Sequence, residues 1–372
     1  MKNYDITVFG NGLISKLIIV ALSDLSFKIC RIAGNPSKNA KNQVYSIRED
    51  SYTFLRSLNL FQGNPFYDIE KMCLFFDEAK EFVIENFFDL QKILRIIDQD
   101  TLDKSLNKII EHKPVDLYYF DDLEIISDNI IKLYDGSKYT KIYSKLFLVS
   151  DGKKSIVRKK MFKKNQEVTF NQKAIAGVFD AKNLNPFAYQ WFKKSGILAL
   201  IPMSKNKVSM VLSYPHKGQN INPGTYLNSF FKKELTLVCG DQDLNNKDFK
   251  SFDLSYTNPI FFKNNFVFFG DACQAIHPLA GQGLNLGIKD VSVFFELIKE
   301  KTSQNINLKK LMYDYRRKRI FERTFFHKLT YSIAFLNFKN NLLFERFSSI
   351  FLKILKRSNY LKQKVVNVAN GG

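Results

Sequence analysis

The opening of the chain, residues 4–33, restricts it to a small set of folds. "YDITVFGNGLISKLIIVALSDL" reads as a short apolar strand (Ile6 to Phe9), a glycine turn and a helix with apolar residues at helical spacing. "FKICRIA" (27–33) then reads as a second strand. Strand, glycine turn, helix and strand in this order begin a parallel βαβ unit of the dinucleotide-binding kind. Gly10 permits the tight turn, and Gly12 lets a pyrophosphate approach the amides at the helix N-terminus. The third fingerprint position must be small so that helix and strand can pack, and Ser15 stands there instead of the usual Gly or Ala. An acid is also expected at the end of the second strand, to bond ribose hydroxyls. That position falls at Ala33, and no Asp or Glu lies between Ser26 and Lys41. A glutamate placed at 33 is therefore expected to tighten the nucleotide. Three readings stay open on this segment alone: a ribose held by other groups, a nucleotide bound loosely, or a βαβ unit that binds nothing.

Two later stretches carry chemistry. In "LFLVSDGKKSIVRKKM" (146–161) a strand runs into Asp151-Gly152, with Ser155 and Arg158 following at helical spacing. Asp151 either caps that helix or lines a ligand crevice at the carboxyl end of its strand. The second stretch is "NNFVFFGDACQAIHPLAGQGLNLGIKD" (264–290). The chain has 17 glycines in 372 residues, and Gly270, Gly281, Gly283 and Gly287 fall within this one span. Asp271, ending an apolar strand, is placed to accept hydrogen bonds from polyol hydroxyls. The amides around Gly281-Gln282-Gly283-Leu284 offer donors and a positive dipole end to a developing anion. His277 reads as a general base or as a structural residue of the loop. Cys273 reads as a small packing residue.

Composition narrows the classes. A chain of this length forms two domains or one large α/β unit. Its four cysteines are widely separated and form no CxxC pair, which argues against a zinc site or a disulfide framework and fits a reducing cytoplasm. "MKNYDITVFGNG" enters a strand at once and leaves no room for a signal peptide, and no apolar run reaches transmembrane length. The net charge of +20 invites an anionic partner, but the lysines are scattered and no nucleic-acid motif accompanies them, so nucleic acid is not expected. A helix is expected around "REDSYTFLRSLNLF", and another over 99–112 capped by Asp100 or Thr101. Strands across 168–215 predict a second sheet. The chain should be helical after "NFVFFG" nearly to its end.

The three motifs in this order resemble the flavoprotein aromatic hydroxylases of the para-hydroxybenzoate hydroxylase class. GDACQAIHPLAGQGLNLGIKD looks most like the ubiquinone-biosynthesis hydroxylases of the 2-octaprenyl-6-methoxyphenol hydroxylase type. "LDKSLNKII", "FNQKAIAGVFD", "AYQWFKKSGILALIPMS", "VLSYP" and "YDYRRKR" stand where that family has similar text. The resemblance implies an α/β fold: a Rossmann-like FAD-binding domain (1–70, 95–165 and 255–300), an inserted mixed or antiparallel-sheet substrate domain (71–94 and 166–254) and a helical C-terminus (301–372). It implies FAD held by Gly10, Gly12, Ser15, Asp151, Gly152, Arg158, Gly270, Asp271, Pro278, Gly281, Gln282, Gly283, Leu284 and Asn285. Of these, Asp271 would meet the ribityl chain, while Pro278 and the Gly281–Asn285 loop would line the isoalloxazine. Catalysis would be centred on the flavin, with His277 a structural neighbour and no metal.

The implied reaction is hydroxylation of a polyprenylated phenol in ubiquinone biosynthesis, through a C4a-hydroperoxyflavin, with NAD(P)H and O2 as co-substrates. Other proteins of that pathway would be partners. The location would be cytoplasmic and peripheral to the inner membrane. Between Lys309 and Lys364, basic clusters alternate with aromatic and aliphatic text, which reads either as core helices with solvated charges or as a surface for anionic lipid or a partner subunit. The chain departs from the family at Ala33, Ser15, Gln43 (usually arginine), Gln274 (the last position of "DAAH") and Gly196-Ile197 (Gly-Pro). Two rival readings remain: a non-catalytic flavoprotein-like subunit that binds quinone intermediates, and a flavin oxidoreductase acting on another small aromatic molecule.

Overall fold

In the computed structural model, strand Lys2–Phe9 becomes buried on both faces toward its end, as a central parallel strand must be. The structure describes residues 1–34, 43–76, 80–84, 94–162, 167–216, 222–245, 247, 249–277, 281–301 and 307–338. Strand Lys2–Phe9 pairs in parallel with Ile29–Gly34 on one side and with Tyr139–Val149 on the other. Phe266–Phe268 extends the sheet in parallel beyond Tyr139–Val149, and Asp116–Phe120 extends it beyond Ile29–Gly34. Antiparallel strands complete this eight-stranded sheet. Helix Leu13–Leu22 is apolar nearly all round and buried along its length, covering the sheet as the crossover of the expected βαβ unit.

A second sheet has seven strands, in the order Lys250–Thr257, Glu167–Asp180, Lys207–Pro215, Gly196–Ser204, Phe187–Lys193, Lys71–Phe76 and Lys80–Ile84. It is antiparallel except where Phe187–Lys193 runs parallel to Lys71–Phe76, so it is a mixed sheet. Helix Pro223–Cys239 packs on it through Leu227, Phe231 and Leu235, in a core shared with Phe179, Trp191 and Leu212. Strand Lys250–Thr257 straddles the domain boundary expected at 254/255. A third, small antiparallel sheet of Val44–Ile47, Leu94–Asp98 and Tyr67–Ile69 has no counterpart in the sequence reading.

Helix Gln99–Ile110 forms where expected, with Leu102 and Leu106 buried, but its cap is Asp98, not Asp100 or Thr101. The Asp98 carboxylate accepts from the Thr101 amide at 2.8 Å and also from the Thr101 hydroxyl. After Phe268 the described chain is helical, chiefly in Gly283–Lys301 and Leu308–Phe338. Residues 339–372 lie outside the described residues. Among those described, no helix is long and apolar enough to cross a membrane, and no cluster of side chains could hold a metal ion.

One buried carboxylate joins these last helices to the sheet. Asp290, with no exposed surface, accepts from Arg319 Nε at 2.8 Å and from Arg323 Nε at 3.0 Å, and it is also bonded by Arg323 Nη2. Its second oxygen accepts the Gly270 amide at 2.9 Å. Arg323 in turn donates to the carbonyls of Gly270 and Gln274, and Arg319 to that of Leu286. Burial alone would lower the Arg323 pKa; the Asp290 charge more than offsets this and raises it. Asp290→Ala would leave two buried guanidinium groups without this counter-charge, which costs about 3–5 kcal/mol. Urea unfolding should show that loss, and a loss below about 1 kcal/mol would mean that water solvates the cluster.

Candidate functional site

The registers Phe9↔Val149 and Val149↔Phe268 bring three strand ends level. The glycine turn follows Phe9, Asp151 follows Val149 and Asp271 follows Phe268, so the three motifs share one edge of the sheet. Crevices outside the carboxyl ends of parallel strands are where open α/β sheets bind ligands.

Each motif has a local reason for its geometry. Gly10 has φ +131°, and a Cβ there would lie 2.6 Å from the Ser150 carbonyl oxygen, so both dihedral and space demand glycine. A Cβ on Gly12 would meet nothing within 4 Å, so this residue faces open space. It starts helix Leu13–Leu22 without a side-chain cap. Ser15 is fully buried and donates its hydroxyl to the Gly12 carbonyl at 2.7 Å, which explains why serine is tolerated at the small position. Gly287 shows why one position of the glycine-rich span must lack a side chain. A Cβ there would stand 2.7 Å from Ile14 Cδ1 and 3.3 Å from Gly270 Cα, where the fingerprint helix, the Gly270 turn and helix Gly283–Lys301 meet.

Asp151 caps the helix, the first of the two roles the sequence left open. Its Oδ2 accepts from the Ile156 amide at 2.9 Å, at the start of helix Ile156–Met161, while its Oδ1 is buried without a hydrogen-bond partner. Burial pushes its pKa up, against the hydrogen bonds of Ser155, Val157 and Ile156. Asp271 is open to solvent, yet protein surrounds it closely enough that desolvation raises its pKa against the charges of Arg323, Lys153 and Arg158. No described residue donates a hydrogen bond to it. It lies near the start of helix Gly283–Lys301: its Oδ1 is 3.7 Å from where a Gly283 Cβ would be. An orphaned buried acceptor, a water-accessible carboxylate and two helix starts at the strand ends fit a ligand that combines hydroxyls with anionic oxygens.

Other expected site residues brace the cleft. Arg158 donates to the Ala272 carbonyl (3.1 Å), the Thr257 hydroxyl (3.2 Å) and the Lys153 carbonyl (3.0 Å), tying the Gly152 loop to the Asp271 turn. Asn285 is fully buried; its Nδ2 donates to the Ser46 carbonyl at 2.8 Å and its Oδ1 accepts the Arg48 amide at 3.0 Å. Gln282 and Gly281 sit beside it, and Leu284 and Gly283 open the helix. Pro278 lies outside the described residues. Gln43 is exposed; its Oε1 accepts from the Tyr45 hydroxyl, whose pKa is raised by burial first and then by the Asp271 and Asp103 charges. The Gln274 carboxamide is buried without partners. The sequence reading missed Arg31, Arg48, Tyr45 and the Arg319–Arg323 pair; a cation between the apolar residues Cys30 and Ile32 was the visible sign of the first.

A family of FAD binding domains matches this chain over residues 96–323. The chain belongs to that family. It is 25% identical over 363 residues to the ubiquinone biosynthesis monooxygenase COQ6 of Mus musculus, spanning 78% of this chain and 74% of that protein. Its fold matches p-nitrophenol 4-monooxygenase PnpA of Pseudomonas putida with a TM-score of 0.80 at 12% identity, covering 100% of this chain and 99% of that one. It also matches the structure of Klebsiella pneumoniae HpxO complexed with FAD and uric acid, with a TM-score of 0.74 at 11% identity over 99% and 96% of the two chains. The expected Rossmann-like α/β fold stands, with helices in the last described stretch up to Phe338, and with it the FAD-dependent aromatic-ring monooxygenase class.

His277 is buried, and its Nε2 lies 3.0 Å from Gln172 Oε1, which joins the loop to the second sheet. An Oε1 partner assigns the proton to Nε2. Burial lowers the His277 pKa to about 4, which suits a structural residue better than a base working near neutrality. The unfolded chain binds this proton near pH 6.5 and the folded chain only near 4. Stability therefore falls as pH drops through that window, by about 3 kcal/mol at most. His277→Asn should flatten denaturant-measured stability between pH 6.5 and 4; an unchanged slope would assign the acid sensitivity to other groups.

Proposed function

We propose that this chain hydroxylates the ring of a polyprenylated phenol in ubiquinone biosynthesis, using FAD, O2 and NAD(P)H. The observation that carries the reading is the alignment of the glycine turn, Asp151 and Asp271 at the ends of three adjacent parallel strands. The likeness to a ubiquinone biosynthesis monooxygenase supplies the substrate class. FAD, when bound, supplies the electron carrier that activates O2.

The chain's own residues bind, orient and exclude water. The amides of the glycine turn and of the first turn of helix Leu13–Leu22 would hold the diphosphate. Asp271 would accept from the ribityl hydroxyls, and Asp151 Oδ1 would take a donor from the ligand. The amides opening helix Gly283–Lys301 would stabilise negative charge on the ring system, with Asn285 fixing that helix to Ser46 and Arg48. The phenol's own electron-rich ring would need positioning more than acid–base help.

The purified protein should carry FAD at close to one per chain, visible in its absorption spectrum. Asp271→Ala should abolish that binding with the fold intact, because each charge-assisted hydrogen bond lost is worth roughly 1.5–3 kcal/mol. A colourless protein that stays empty with excess FAD would favour the non-catalytic subunit, and wild-type affinity in the variant would make Asp271 no ligand.

The surface of helix Leu308–Phe338 favours delivery of a lipid-tailed substrate. Tyr313, Phe321, Phe325 and Leu329 are exposed at four- and eight-residue spacings, with Phe321 81% exposed, and Arg317 continues the same row. Aromatic side chains beside cations suit the interface of an anionic membrane. Sedimentation with anionic liposomes should exceed that with neutral ones and weaken with salt, each near-surface cation contributing about 1 kcal/mol. Equal, negligible binding to both would leave a partner protein as the route for substrate.

A further inference from the structure

Arg31 is a charged residue within an apolar strand. Its neighbours Cys30 and Ile32 have no exposed surface, and Arg31 itself is 7% exposed. Its guanidinium runs toward the glycine turn: Nε donates to the Gly10 carbonyl at 3.0 Å, and Nη2 donates to Asn11 Oδ1. The Gly10 amide in turn donates to the Ile32 carbonyl at 2.9 Å, so the turn sits directly on the end of this strand. Residues 31 and 33 project from the same face of a strand. Ala33 holds only a methyl group, so the guanidinium reaches past it to the strand end, where an acid would receive ribose hydroxyls.

Among the described residues, the charges around the turn leave this place to Arg31. Lys16, on the fingerprint helix, is paired with Asp103. Gln43 is neutral, and its side chain is engaged by Tyr45. Two of the five guanidinium N–H groups are committed to the turn, and no described residue takes a hydrogen bond from Nη1. Burial lowers the Arg31 pKa, with Tyr119 and Asp103 opposing, and an arginine stays protonated there.

We propose that Arg31, seated with Asn11 against the glycine turn, is the cationic anchor for the adenylate half of FAD. It would donate to phosphate and ribose oxygens where a carboxylate would have accepted from ribose hydroxyls. This rests on the FAD reading above and adds the residue through which this chain offsets both the missing acid at 33 and the neutral residue at 43. It also reverses the expectation for Ala33→Glu. A carboxylate at 33 would pair with Arg31 and compete with the ligand for it.

The test titrates apo protein with FAD and, separately, with FMN, which lacks the adenylate half, following flavin fluorescence. Arg31→Met should raise the Kd for FAD by roughly 10–100-fold and leave that for FMN unchanged. Arg31→Lys, which keeps the charge without the planar fork, should fall between the two. Ala33→Glu should weaken FAD and not FMN. Should Arg31→Met fail to fold, the lysine and Ala33→Glu variants carry the same comparison. Equal losses for FAD and FMN would reduce Arg31 to a brace of the turn, and unchanged FAD affinity would remove it from the site; either overturns the proposal. A wild-type protein that binds neither flavin sinks the FAD reading itself, and this inference with it.

Discussion

The cleft depends on the Asp290 carboxylate. Removing a carboxylate and two guanidinium groups from water is expensive, and such clusters often contribute little net stability. What Asp290 contributes is position: one oxygen holds the Gly270 amide while both receive arginine donors from helix Leu308–Phe338. Apolar side chains could fill the same volume, but they would not fix the direction of the Gly270 peptide, next to which Asp271 stands open to solvent beside the start of helix Gly283–Lys301. The network continues outward, from Arg319 to Glu322 and from Glu322 to Arg48 at 2.8 Å, and Arg48 presents its amide to Asn285. The floor, the loop and the β-strand wall of the cleft are therefore parts of one hydrogen-bonded body.

Much of the architecture was legible because its signals are local. The glycine turn between an apolar strand and an apolar helix announces a βαβ unit, and alternation across 168–215 announces a sheet. The three-stranded sheet was not legible, because strands of three to five residues such as Tyr67–Ile69 and Val44–Ile47 are too short for alternation to show. The cap of helix Gln99–Ile110 was misplaced because Asp98 ends a strand and starts a helix at once, and only the bond to Thr101 reveals which carboxylate turns inward.

The site was legible as positions and less so as roles. Glycines and strand-end aspartates can be read from chemistry, since few other residues suit those places. Whether a polar side chain faces a ligand or a neighbouring loop depends on partners far away in the sequence. Arg158 and Asn285 read in the sequence as cofactor contacts, yet their side chains are engaged by Ala272, Thr257, Ser46 and Arg48. Arg31 escaped notice for the same reason: an arginine in a strand has no meaning until Gly10 and Asn11 are found beside it.

The level strand ends at Phe9, Val149 and Phe268 also bear on how the chain acquires its shape during synthesis. The first βαβ unit can form early from near neighbours in sequence, but its central strand acquires Tyr139–Val149 only after a long further stretch of chain has emerged. The Phe266–Phe268 strand comes later still, and the arginines that hold the Gly270 turn are later again. Long-range parallel pairing of this kind is slow, since loop closure must precede the contacts that reward it. Until then the nascent chain presents the edge of Lys2–Phe9 unpaired, which is a hazard for association with other chains. A growing polypeptide of this design exposes more unpaired strand edge than its final fold would suggest.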